Sequence, residues 1–247
     1  MDESEVTCDG LLRGGLTLWQ PARGNGYRFN LDPVLLADFV QPIEKAVDFG
    51  AGCGVLGLLL LKWGKAEHVT FVERQPVLAA LCRRNIEANG FTDRATVVAG
   101  DLREVALRGF DGAFFNPPYF KANCGRPSLS PGRDEGRFER HGGLSEFLQA
   151  AVLATGSDRK VGVVLRAERH SELLELAAYQ GLEPSRCRLV HAREGQPARH
   201  CLLELGSSVG DEVDLVPPLF VHSEQGGREY SREIRGILGE LEGEEMT

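Results

Sequence analysis

The chain has 247 residues, 42% of them hydrophobic and 26% charged, enough for one large α/β domain or two small ones. Its start, MDESEVTCDG, lacks the basic region and apolar core of a secretory signal, and its most apolar stretch, VLGLLLLKW at 55–63, is too short to span a bilayer. A cytoplasmic protein with no membrane partner is expected.

The formal net charge of −8 is unusual for a nucleic-acid binder, but it is unevenly spread: residues 204–247 hold 11 acids and 3 bases, and the rest of the chain is neutral. Bases are locally in excess at 121–141 (Lys121, Arg126, Arg133, Arg137, Arg140) and at 186–199, where four arginines face Glu194 alone. The six cysteines, at 8, 53, 82, 124, 187 and 201, form no C-x-x-C, so reduced thiols and no metal are expected.

In chain order, residues 1–15 are expected to be a flexible segment, 16–241 a single domain and 242–247 an acidic tail. LTLWQPARGNGYRF (16–29) alternates around Asn25-Gly26 and predicts a hairpin. Asp32-Pro33 reads as N-cap and first helical position for VLLADFV. A short strand ending at Asp48-Phe49 then meets a glycine-rich turn and an apolar helix. HVTFVE predicts a strand, PVLAALCRRNIEANG a helix ending at Gly90, and ATVVAGD and FDGAFFN two further strands. After the Gly/Pro/Arg-rich stretch 120–142 come helix LSEFLQAAVLA, strand KVGVVLR and helix SELLELAAYQG. RCRLVHA and RHCLLELG, separated only by REGQP, have antiparallel hairpin spacing. PPLFVH and a helix over 230–241 close the chain. Strand–helix alternation predicts a mostly parallel Rossmann-like α/β sheet, and with the appended antiparallel hairpin it resembles the seven-stranded sheet of S-adenosylmethionine-dependent methyltransferases.

Three acids fall at successive strand ends. Asp48 stands two residues before Gly50-Ala-Gly52-Cys-Gly54, a spacing unlike the dinucleotide fingerprint; a carboxylate there would repel a pyrophosphate and suits an ammonium. Glu73 ends the next strand, where an acid accepts ribose hydroxyls. Asp101 follows the third and would meet an adenine amine. The fourth strand ends in Asn116-Pro117-Pro118-Tyr119. The Asn116 amide and the Pro117 carbonyl offer two oxygen acceptors, which suits a planar NH₂ group; Tyr119 offers a face on which a base can stack.

These segments resemble the class I amino-methyltransferases with an Asp/Asn/Ser-Pro-Pro-aromatic motif. Among them the chain is most similar to the bacterial adenine-N6 methyltransferases of a valine tRNA, through GYRFNLDPVLLADF, VDFGAGCGVLGLLL, VERQPVLAALCRRNIEANG, NPPYF and PPLFVH…GGREYSREIRGIL. The resemblance implies methyl transfer to the N6 amine of the adenine beside the anticodon. Asp48, Gly50, Gly52, Gly54, Glu73, Asp101 and Asn116 would hold S-adenosylmethionine; Tyr27, Arg28, Phe29 and Asp32 would close over its methionine end. Asn116, Pro117 and Tyr119 would hold the target adenine, and the arginines and lysine of 121–140 the tRNA. An N5-glutamine protein methyltransferase, an enzyme acting on ribosomal RNA, DNA or another exocyclic amine, and a non-catalytic S-adenosylmethionine-binding RNA module remain as alternatives. A homodimer is among the assemblies this reading allows.

Overall fold

The computed structural model describes residues 5–12, 14–22, 28–117, 143–156, 160–207, 212–223, 227 and 229–240. Its elements run β1 (Val6–Leu11), β2 (Leu16–Pro21), α1 (Asp32–Phe39), β3 (Ile43–Phe49), α2 (Val55–Lys62), β4 (Ala66–Glu73), α3 (Pro76–Ala88), β5 (Ala95–Ala99) and β6 (Gly112–Phe115). They continue with α4 (Leu144–Thr155), β7 (Lys160–Arg166), α5 (His170–Tyr179), β8 (Glu183–His191), β9 (Ala198–Gly206), β10 (Asp214–Phe220) and α6 (Arg232–Ile237).

The main sheet has the order β10-β8-β9-β7-β6-β3-β4-β5, and β9 alone runs against the other seven. Helices cover both faces, so the central strands are buried on both sides and read as continuous apolar runs. β6 shows this at every position: Phe114 faces the core under α1, α2, α3 and α6, while Phe115 faces the core under α4 and α5. Each such phenylalanine contributes about 1.5–3 kcal/mol through burial. The chain builds outward from β3 through β4 to β5, then returns to lay β6 on the other side of β3. The crevice at this switch lies at the carboxyl ends of β3 and β6, where open α/β sheets bind ligands.

Two features differ from the sequence expectation. The sheet has eight strands rather than seven, because Asp214–Phe220 adds to the free edge of β8 in parallel. Its Pro217 and Pro218 lack N–H donors, which an edge strand tolerates, and the register shifts between Val216 and Leu219 to pass them. At the other terminus, residues 6–11 of the segment expected to be flexible form β1, antiparallel to β2 with Cys8 opposite Trp19. Between these strands Gly14 takes φ 83° and its N–H donates to Leu11 O at 3.1 Å. Asn25 and Gly26 lie outside the described residues.

Helix ends also shift slightly. Asp32 sits in the first turn of α1 with Leu31 as N-cap, because the Asn30 side chain already engages both the Asp32 backbone and its carboxylate, at 3.2 and 2.9 Å. The last helix is shorter than expected, with Ser231 Oγ accepting from Ile234 N–H at 3.3 Å as its cap.

Helix α2 packs so closely on the sheet that Gly57 has no room for a methyl group. A Cβ there would lie 2.3 Å from Phe71 Cε1 and 2.8 Å from Val69 Cγ1, both in the core. In an open helix Gly→Ala stabilises by about 1 kcal/mol. Here the clash reverses the sign, and Gly57→Ala is expected to destabilise the fold by about 1–3 kcal/mol in urea unfolding. An unchanged or raised midpoint would mean that α2 can move off Phe71.

Candidate active site

The glycine-rich turn depends on its glycines for conformation. Gly50, Gly52 and Gly54 have φ of 71°, 58° and 91°, a left-handed region that side-chain-bearing residues resist. A Cβ on Gly54 would also sit 2.8 Å from Cys82 Sγ, and one on Gly50 would sit 3.1 Å from the Phe147 ring. Gly50 and Ala51 N–H both donate to Val72 O, at 2.9 and 3.0 Å, which fixes the turn to β4. Phe147, from α4, packs between this turn and Phe115, with ring centroids 5.3 Å apart.

Two buried carboxylates hold the turn from opposite sides. Asp48 is 1% exposed, and its Oδ2 accepts from Gly57 N–H at 3.1 Å. Gly54, the N-cap of α2, has no side chain, so Asp48 supplies the missing cap from the strand below. Glu73 accepts from Gly52 N–H through Oε2 at 2.8 Å and from Gln75 N–H through Oε1 at 2.7 Å, joining the turn to the start of α3. Burial raises the affinity of both carboxyls for protons: Asp48 is pushed up to about 7, with the Glu73 charge adding to burial and the Gly57 N–H opposing it. Glu73 is raised by burial against the pull of the Gln75 and Gly52 amides. Asp101 behaves in the opposite way. Arg103 grips it through Nε and Nη2 at 2.8 and 2.6 Å, and this holds its carboxyl down at about 2. Within the turn, burial pushes the Cys53 thiol up to about 12, which removes it as a nucleophile.

Asn116 follows β6 directly, beside the turn across the Phe49–Phe115 pairing. Its Oδ1 is buried and, among the described residues, receives no hydrogen bond. Leaving a buried acceptor unpaired costs about 1–3 kcal/mol, so the atom is poised for a donor brought by a ligand. Pro117 is buried beside it. Tyr27, Pro118, Tyr119, Lys121, Arg126, Arg133, Arg137 and Arg140 lie outside the described residues. Arg28 is engaged with the N-terminal hairpin: it donates to Asp9 Oδ2 at 2.9 Å, Thr7 Oγ1 at 2.7 Å and Pro21 O at 2.6 Å. Asp32 is buried at the start of α1, with its Oδ2 3.6 Å from His200 Nε2. The described residues contain no group of three or more His, Cys, Asp or Glu able to hold a metal.

One residue the sequence reading overlooked ties these parts together. Asn85, on α3, is fully buried; its amide donates to Cys53 O at 2.8 Å and Trp19 O at 2.9 Å, and accepts from Trp19 N–H at 2.6 Å. Asn89, one turn on, does the same for Thr17, at 2.8 and 2.7 Å. The two amides, four residues apart, imitate the edge of a strand and dock β2 on α3. The paired asparagines in RRNIEANG were the available signal.

Between about pH 4 and pH 7 the folded chain keeps a proton on Asp48 that the unfolded chain has released, so stability from this group falls as pH rises through that window. Asp48→Asn keeps an oxygen for Gly57 and has no charge to bury. The variant is therefore expected to gain on the wild type from pH 5 to pH 7 in urea unfolding. Parallel pH profiles for the two proteins would show that Asp48 is ionised in the fold.

Comparison with known proteins agrees with this geometry. The methyltransferase small domain family matches residues 32–127. The tRNA1(Val) (adenine(37)-N6)-methyltransferase of Shewanella amazonensis is 31% identical over 188 residues, covering 73% of this chain and 78% of its own. The protein of the same name from Porphyromonas gingivalis is 24% identical over 191 residues, with 74% of each chain covered. Among solved structures, a predicted O-methyltransferase from Agrobacterium tumefaciens superposes with a TM-score of 0.61 at 22% identity, over 85% of this chain and 96% of its own, a likeness of fold. The 31% identity over most of both chains places this chain in the family of the tRNA1(Val) (adenine(37)-N6)-methyltransferases.

Proposed function

We propose that the protein methylates the exocyclic N6 amine of an adenine in tRNA, at the position its relatives' names give as 37, using S-adenosylmethionine. The observation that carries this reading is the buried, unpartnered Oδ1 of Asn116 at the end of β6, next to the glycine turn.

The cofactor supplies a methyl group on a sulfonium centre, which needs only a correctly placed lone pair. The residues present fit it. The left-handed glycines leave backbone open to close approach, and Asp48 and Glu73 place carboxyl groups under and beside the turn, whose ionised forms a cationic ligand would favour. In this reading Asp48 would hold the ammonium, Glu73 would use its further lone pairs for the ribose hydroxyls, and Asp101, oriented by Arg103, would hold the adenine of the cofactor. Asp32 and the segment before it cover the methionine end.

The lone pair of an adenine amine is delocalised into its ring, so it is a weak nucleophile. Asn116 Oδ1 and the Pro117 carbonyl accept its two hydrogens, holding the nitrogen where its lone pair points at the methyl carbon. These bonds strengthen as positive charge grows on nitrogen, so they act most strongly in the transition state. The resulting ammonium is acidic enough to lose its proton to water, and no strong base is required. Tyr119 stacks on the target base; stacking of about 1–3 kcal/mol offsets the cost of drawing it out of its own stack. Lys121, Arg126, Arg133, Arg137 and Arg140 contact phosphates in the same reading, in the cytoplasm where tRNA resides.

Asn116→Ala is expected to abolish methylation of a valine tRNA transcript, by mass spectrometry of its nucleosides, and to leave S-adenosylhomocysteine affinity within a few-fold. Methylation near the wild-type rate would overturn the role given to Asn116. Absence of N6-methyladenine with the wild-type protein would overturn the activity itself.

A further inference from the structure

The 186–199 basic run does not survive folding as one patch. Arg186 donates to Phe39 O at 2.7 Å and pairs with Asp214 at 2.9 Å; Arg188 pairs with Glu233 at 2.5 Å and donates to Pro217 O at 2.9 Å. Arg193 donates to Ser223 O at 2.5 Å and to Gly227 O. Three of its four arginines are occupied in holding chain segments together.

Sheet register instead sets an arginine beside a histidine. In the antiparallel β7–β9 pair, Arg166 stands directly opposite His200, so the two side chains leave the same face of the sheet at its carboxyl edge. Alternation identifies that face. Val164 and Leu202, two residues inward on each strand, both lie in the core under α1 and α2, as does Phe114, two residues before Asn116. Asn116, Arg166 and His200 therefore share one face. β7 is the neighbour of β6, with Val163 opposite Phe115, so Arg166 lies one strand across and two residues along from Asn116. That is about 8 Å by strand spacing and rise, within the reach of a single nucleotide. Asn30 holds the Asp32 carboxylate at 2.9 Å, and that carboxylate lies 3.6 Å from His200 Nε2. Arg166 meets Glu168 at 2.9 Å in an exposed pair, a contact worth ~0–1 kcal/mol.

We infer that Arg166 and His200, which lies near Asp32, form a subsite for the phosphodiester flanking the target nucleotide, on the sheet edge beside Asn116. The inference rests on the RNA-methylation reading above, and the experiment separates the two. Binding of a valine tRNA transcript is measured by fluorescence anisotropy across a salt series, alongside steady-state methylation and S-adenosylhomocysteine affinity. Arg166→Ala is expected to weaken tRNA binding about tenfold and to make the log affinity–log salt slope shallower by about 0.7–0.9. KM for tRNA should rise in step, while kcat and S-adenosylhomocysteine affinity stay within about twofold, which a folding defect would not produce. His200→Gln, which retains a donor for Asp32, is expected to weaken binding about threefold. Lys160→Ala, at the opposite end of β7, makes the same charge change away from the site and should leave affinity and slope at wild-type values. Wild-type affinity and slope in Arg166→Ala would overturn the subsite, as would an equal loss in Lys160→Ala. A wild-type protein that binds tRNA with these responses but transfers no methyl group would overturn the activity and keep the subsite; one that binds no tRNA would overturn both.

Discussion

The arrangement of this site depends on two buried carboxylates gripping one glycine turn. Asp48 lies beneath it and caps α2; Glu73 lies beside it and links it to α3. Burying ionised carboxylates is costly, and the backbone amides offset only part of that cost, as the upward shift at Asp48 shows. A cationic ligand seated over the turn would restore what burial removed, because its charge favours the ionised form of both groups. The turn is therefore rigid in geometry and unsatisfied in charge. Those two properties suit a ligand carrying an ammonium and a sulfonium better than one carrying a pyrophosphate.

The N-terminal hairpin belongs to the same construction. Asn85 and Asn89 present their amides to β2 as a neighbouring strand would, and the Asn85 amide also reaches the carbonyl of Cys53 inside the turn. Arg84 stacks over the Trp19 ring at 3.3 Å, adding a cation–π contact to the same junction. A small two-stranded sheet has too little core to stand alone. Docked in this way, it gives the turn a wall that the main sheet cannot supply.

What could be read from the sequence was what is local. Asp48, Glu73 and Asp101 stand out because each ends a strand or directly follows one, and Asn116 because two prolines stop the chain after it. The pairing of β1 with β2 is hard to read in the sequence because Asn25-Gly26 is the stronger turn signal on paper, whereas Gly14-Gly15 lies nearer the residues that pack on α3. The eighth strand was missed because Pro217-Pro218 reads as a break; only its position at an edge makes those residues acceptable. Asn85 was invisible as a site residue, since its partner Trp19 is 66 positions away and nothing in a helical repeat reports it. The basic run at 186–199 misled for the same reason: Arg186 and Arg188 find their partners in β10 and α6.

Across the carboxyl edge of the sheet the chemistry changes by strand. β3 and β4 present acids and β7 and β9 present Arg166 and His200, while β6 between them ends in the neutral amide of Asn116. The motif also admits a carboxylate here, and what the amide and the carboxylate share is an oxygen acceptor for the amine hydrogens. An amide oxygen binds the uncharged amine weakly and the developing ammonium more strongly, so its contribution grows along the reaction coordinate. In the proposed reading the acids of β3 and β4 would face the cofactor, Arg166 of β7 would face the nucleic-acid backbone, and the neutral amide of Asn116 stands at the junction between them.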